Sequence, residues 1–122
     1  MKYLCLGYYD VEARSRLSPD DFAAIASRCA PLDEELRATG AVSSTASLVE
    51  REVVTLRTRG GELSATDGPY VESKEQVGSF FILEASDLNE AVRIAGRHPA
   101  ARLGEELGWA IEVRPIAHFE EG

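Results

Sequence analysis

At 122 residues with 44% hydrophobic content, the chain is long enough for one domain (residues 1–122) with a core of its own and too short for two. Thirteen basic against 21 acidic residues give a net charge of −8, which repels phosphate backbones and anionic membrane surfaces and argues against nucleic acid as a partner. Two cysteines, Cys5 and Cys29, fall at positions that repeat with apolar neighbours and read as buried free thiols; spacing alone leaves a bridge between them open, but two cysteines make no secreted disulfide framework.

The apolar run Tyr3 to Tyr9 is apolar on both faces, as an internal strand requires, and is too short for a signal peptide; no stretch is long enough to span a membrane, so a cytoplasmic location is expected. Ser18 followed by Pro19, Asp20 and Asp21 predicts a helix start: a hydroxyl cap, proline at the first helical position and carboxylates at the positive dipole end. Phe22, Ile25, Ala26 and Cys29 then recur at helical spacing toward the core. Pro31 predicts a kink or break, after which Leu32 and Leu36 resume the stripe until Gly40 stops it.

Alternation from Arg51 to Arg59 predicts a half-buried strand, Gly60-Gly61 a two-residue hairpin turn, and Leu63 to Thr66 the return arm. Gly78 to Ala85 predicts the central strand. Asp87 and Glu90 have capping-box spacing ahead of Leu88, Ala91, Val92 and Ala95, a second core-facing helix that closes near Gly96 and Pro99. A final strand is expected from about Trp109 to Ile116, with Pro115 near its end. The order strand, helix, strand, hairpin, strand, helix, strand predicts an α+β, ferredoxin-like fold: an antiparallel sheet with both helices on one face. Two helices cannot hide the apolar residues of both sheet faces, so the free face is expected to pack against a second copy as a homodimer.

The segment Thr66 to Gly78 concentrates turn formers, carboxylates and a lysine between strands. Asp67 either holds its own turn or presents a carboxylate to a pocket, while Gly68 and Pro69 set the direction of the exit. Glu72 and Lys74 share one side of an extended segment with Glu75 opposite, a solvated cluster unless the loop folds inward, where a carboxylate beside an ammonium makes a base or an anion clamp. Asp67, Glu72 and Lys74 are therefore the candidate catalytic set, and Tyr8, Gly68, Pro69, Tyr70, Glu75 and Gly78 the candidate substrate-binding residues. His98, before Pro99, reads as a helix-end residue near exposed carbonyls. With two histidines, no C-x-x-C and no glycine-rich phosphate loop, neither a metal nor a cofactor is expected.

Asp67-Gly68-Pro69-Tyr70, with Glu72, Lys74, Glu75 and the later Glu112-Val113-Arg114-Pro115, closely resembles the DGPF branch of the YCII-related proteins, where Phe is the commoner fourth residue. The resemblance covers nearly the whole chain and implies a dimeric α+β barrel. The family includes a dehydrochlorinase, which implies a small-molecule-binding dimer with cofactor-independent acid/base, lyase-like chemistry on a small organic ligand. DGPF-like proteins are often encoded beside extracytoplasmic-function sigma factors, which implies the alternative of a non-catalytic regulatory or accessory module with a sigma-factor-linked partner. Other YCII-related proteins carry a histidine in the first helical region, paired with an aspartate as a proposed acid/base couple. This chain departs from them: it has no histidine between Met1 and Arg97.

Overall fold

The structure, a computed structural model, describes all 122 residues. The chain runs through β1 (Lys2–Asp10), α1 (Val11–Ser15), α2 (Pro19–Ala38), β2 (Val42–Ser47), β3 (Val54–Arg59), β4 (Glu62–Asp67), β5 (Glu75–Glu84), α3 (Leu88–Ala95), α4 (Pro99–Arg102), α5 (Gly104–Leu107) and β6 (Trp109–Pro115). Four strands form an antiparallel sheet in the order β2-β5-β1-β6, the ferredoxin-like arrangement expected, and β3 and β4 form a separate two-stranded ribbon.

Strict alternation along β1 sorts its side chains between two faces. Tyr3 and Cys5, opposite Leu83 and Phe81 of β5, face the helices and are buried, and Leu36 of α2 with Ala85, Ala91 and Ala95 completes the core. Leu4, Leu6 and Tyr8, with Phe80 and Ile82, lie on the opposite face, which no helix covers. Burial of Cys5 pushes its thiol up to about 12, and both cysteines are free.

The helix starts follow their predicted chemistry. Ser18 Oγ accepts from the Asp21 amide at 3.1 Å while the Asp21 carboxylate accepts from the Ser18 amide at 2.8 Å, a full capping box with Pro19 at the first position. Asp87 caps α3 through the Glu90 amide, but Glu90 returns its side chain to the Ser86 amide. Within α3, Ala91 and Ala95 are buried, whereas Leu88 and Val92 of the expected stripe stay exposed.

Three expectations need correcting. Of the kink or break expected at Pro31 the break is absent, and α2 runs from Pro19 to Ala38; Pro31 and Ser27, whose carbonyl loses its donor, both lie on the exposed side where water can solvate the freed group. The strand that follows α2 in the main sheet is Val42–Ser47, a segment without apolar alternation that docks on β5 by backbone hydrogen bonds. The alternating run ending at Arg59 instead builds the ribbon, and it is exposed rather than half-buried: Val54, Leu56 and Leu63 are 53%, 62% and 72% accessible.

Candidate functional site

α2 crosses the sheet without resting on it along most of its length. Beneath it lies an open cleft of about 350 Å³, floored by β1, β2 and β5, roofed by Cys29, Asp33 and Arg37 of α2, and closed at one side by His98–Ala100 and Trp109. A bulge shapes the floor: Gly7 pairs with Ser79 and Tyr8 with Val77, leaving Gly78 as the extra residue. A Cβ at Gly78 would stand 2.7 Å from the Tyr9 ring, so glycine is what lets that ring lie flat across the bulge.

His98 is placed by the start of α4 and not by exposed helix-end carbonyls, which corrects the expectation for it. It is the N-cap of α4 with Pro99 at the first helical position, and its Nδ1 accepts from the Ala100 amide at 2.9 Å. The ring stacks on buried Phe81, centroids 4.9 Å apart and planes 7° from parallel. Burial pulls its pKa below the ordinary value, and the negative charge of Asp33 opposes that shift without cancelling it. A neutral imidazole whose Nδ1 is an acceptor carries its proton on Nε2. His98 therefore meets the cleft as a hydrogen-bond donor.

Asp33 and Arg37 sit one helical turn apart on α2, and each lines both this cleft and an adjoining one of about 270 Å³, as His98 does. Neither side chain has an ion-pair or hydrogen-bond partner within the chain. Arg14 is committed by contrast: its Nε faces Glu50, and its guanidinium lies 5.0 Å from the Tyr9 ring and 5.4 Å from the Phe22 ring. Desolvation, then Glu50, raises the Tyr9 phenol despite Arg14, and desolvation with Asp33 raises the Cys29 thiol, so both stay protonated at neutral pH. No three His, Cys, Asp or Glu side chains gather as a metal site would.

Of the residues singled out in the sequence, Tyr8 and Gly78 border the cleft, although the Tyr8 ring belongs to the open sheet face and its hydroxyl donates to Glu112 at 3.4 Å. Asp67, Glu72, Tyr70 and Glu75 are exposed and lie outside it. The turn at Gly68 and Pro69 is held by the Gly68 amide on the Val53 carbonyl and by Thr55 Oγ1 on the Gly68 carbonyl, each at 2.7 Å, rather than by the Asp67 carboxylate. Gly68 has φ 106°, a conformation that suits glycine. Gln76 Nε2 ties the loop down through the Val71 and Ser73 carbonyls. Lys74 Nζ stands 3.5 Å from Asp10, whose carboxyl is held below its usual range first by the Ala13 amide and then by Lys74. Sequence reasoning passed over Asp33, Arg37 and Arg14; the i,i+4 spacing of Asp33 and Arg37 and the His98-Pro99 cap signal were the available clues.

A family model described as YCII-related domain matches residues 1–120. An uncharacterised protein of Rhizobium meliloti (strain 1021) is 28% identical over 123 residues, covering 100% of this chain and 97% of that protein. Among solved structures, the 5-chloro-2-hydroxyhydroquinone dehydrochlorinase from Burkholderia phenoliruptrix AC1100, in complex with 2,5-dihydroxybenzoquinone, is 21% identical with a TM-score of 0.44, covering 98% of this chain and 96% of that one. No helix is long and apolar enough to cross a membrane.

Proposed function

This chain belongs to the YCII-related family, and we propose that it binds a small organic molecule beneath α2 and catalyses proton transfer on it without a cofactor. One observation carries the reading: a neutral histidine, an unpaired aspartate and an unpaired arginine open on the same cleft. In this reading Asp33 is the general base and takes a proton from a carbon next to a carbonyl. His98 Nε2–H donates to the carbonyl oxygen and stabilises the negative charge that develops there, while Arg37 anchors an anionic group of the substrate. A neutral imidazole suits that donor role because it holds the oxyanion without surrendering its own proton beforehand.

The test is solvent deuterium exchange, followed by NMR, into a panel of enolisable carbonyl acids and dihydroxylated aromatics. Exchange by wild type that falls at least a hundredfold in Asp33→Asn, with ligand affinity kept within a few-fold, is the expected result. Binding without exchange in wild type would remove catalysis and favour a regulatory, sigma-factor-linked module.

We further infer that two copies pair through their open sheet faces, on the strength of the apolar residues left uncovered there. The motif-loop set Asp67, Glu72 and Lys74, with Gly68, Pro69, Tyr70 and Glu75, is proposed to act only within that pair. Asp67→Asn that leaves both affinity and exchange unchanged in an intact dimer would remove it from the site.

A further inference from the structure

We propose that the ligand is an amphiphilic carboxylate, with its anionic head at Arg37 and its apolar body running beneath α2 toward Phe22 and Ile25. This rests on the helix–sheet cleft being the ligand site, and it adds the class of molecule that fills it.

The apolar stripe of α2 is turned toward the sheet, yet of the helix's 20 residues only Leu36 is buried. The space that those side chains would fill in a close-packed interior is open. A third cleft, of about 500 Å³, continues the 350 Å³ one past Arg14, Ser47 and Trp109, which line both. This extension is walled by Leu17, Phe22, Ile25 and Leu107 with the paired charges Arg14, Arg16 and Glu106 at its rim, whereas the opposite end sets Asp33, Arg37 and His98 beside Leu36, Val42 and Phe81. Apolar wall runs the length of the channel while its unpaired charges sit at one end only, so a ligand that matches it is elongated and amphiphilic.

Charge sets the head group. Arg14, Arg28 and Arg97 are taken by Glu50, Glu106 and Glu35, which leaves Arg37 as the uncommitted cation of that end. Arg37 can answer one negative charge, and the Asp33 carboxylate beside it opposes any further one, so a monoanion is disfavoured less than a dianion. A phosphate dianion would meet Asp33 with its second charge unanswered. The planar fork of a guanidinium fits a carboxylate in the same way.

Trp109 is the chain's only tryptophan and lies at the junction of the two larger clefts, so its emission reports occupancy. The probes are octanoate, octanol, benzoate and acetate. Octanoate is expected to shift Trp109 emission saturably, octanol at least tenfold more weakly, and acetate not at all. Arg37→Gln should weaken octanoate at least tenfold while leaving octanol unchanged, with partial recovery in Arg37→Lys. Ala26→Phe, which adds bulk at the end away from Arg37, should weaken octanoate about tenfold and spare benzoate. Benzoate binding as tightly as octanoate, with Ala26→Phe silent, would overturn the amphiphile and keep the cleft as a ligand site. An octanoate affinity indifferent to Arg37→Gln would overturn the head placement. Silence of Trp109 toward every probe, in protein folded by circular dichroism, would overturn both this inference and the cleft reading it rests on.

Discussion

Burial of the His98 ring against Phe81 sets a pH dependence with a definite sign. Its folded pKa lies below the ordinary 6.5, so in the window between the two values the unfolded chain binds the extra proton and stability falls on acidification. Above pH 6.5 the imidazole is neutral in both states and contributes no slope. Protonation at Nδ1 would also set two N–H groups face to face where Nδ1 now accepts from Ala100. His98→Asn keeps a capping oxygen but has no titrating ring, so the variant's unfolding midpoint should lose the wild-type slope just below pH 6.5 while both proteins still weaken near pH 4. A variant slope equal to wild type there would show that His98 is not held neutral. Gly78 makes a second residue-scale prediction. An alanine Cβ there meets the Tyr9 ring at 2.7 Å, so the ring must turn into the cleft or the strand must shift, at a cost of about 1–3 kcal/mol. Gly78→Ala should lower the denaturant midpoint accordingly and alter Trp109 emission, because Tyr9 and Trp109 are cross-strand neighbours lining one cleft.

Elements differ in how plainly the sequence announces them, and the difference is physical. β1 and β5 were legible as short runs apolar on both faces, and α3 as a capped start with a helical apolar stripe, although only Ala91 and Ala95 of that stripe reach the core. β2 was not: an edge strand held by backbone bonds to β5 needs no apolar alternation, and Val42-Ser43-Ser44-Thr45-Ala46-Ser47 has none. The ribbon misled in the opposite direction, since its alternation looks like burial while Leu56 and Leu63 face away from their own chain. The cleft was illegible for a third reason, because Asp33, Arg37 and His98 meet only through the crossing of α2 over the sheet and the return of α4. α2 also shows a capped start that no core supports. Ser18→Ala removes one half of its capping box, about 1 kcal/mol. Because the helix buries nothing before Leu36, that loss should be felt locally: amide exchange should speed up several-fold from Phe22 to Ser27 and stay unchanged in β1 and β5. Uniform loss of protection across the sheet would mean that the first half of α2 is packed after all.

At the scale of the molecule, the open sheet face and the exposed ribbon ask the same question, since a two-stranded ribbon alone is marginally stable and no helix covers Leu4, Leu6, Phe80 and Ile82. Pairing of two copies across the sheet answers it if the contact reaches the roughly 1,600 Å² typical of stable interfaces. Leu6 lies near the middle of that face, between Phe80 on one neighbouring strand and Glu112 on the other. A lysine there would lose its water in the dimer with only Glu112, already held by Arg114, as a neighbour of opposite charge, whereas in a monomer it would stay solvated. Leu6→Lys should therefore sediment as a folded monomer under conditions where wild type sediments at twice the chain mass. Salt supplies an independent check whose sign separates two kinds of interface. Each copy carries a net charge of −8, so association works against long-range repulsion that salt screens. An interface of apolar side chains should tighten as ionic strength rises, whereas one held by ion pairs should loosen. A wild-type chain that stays monomeric at high salt and tens of micromolar concentration would leave the open face without its proposed cover, and the motif-loop residues without the partner their role requires.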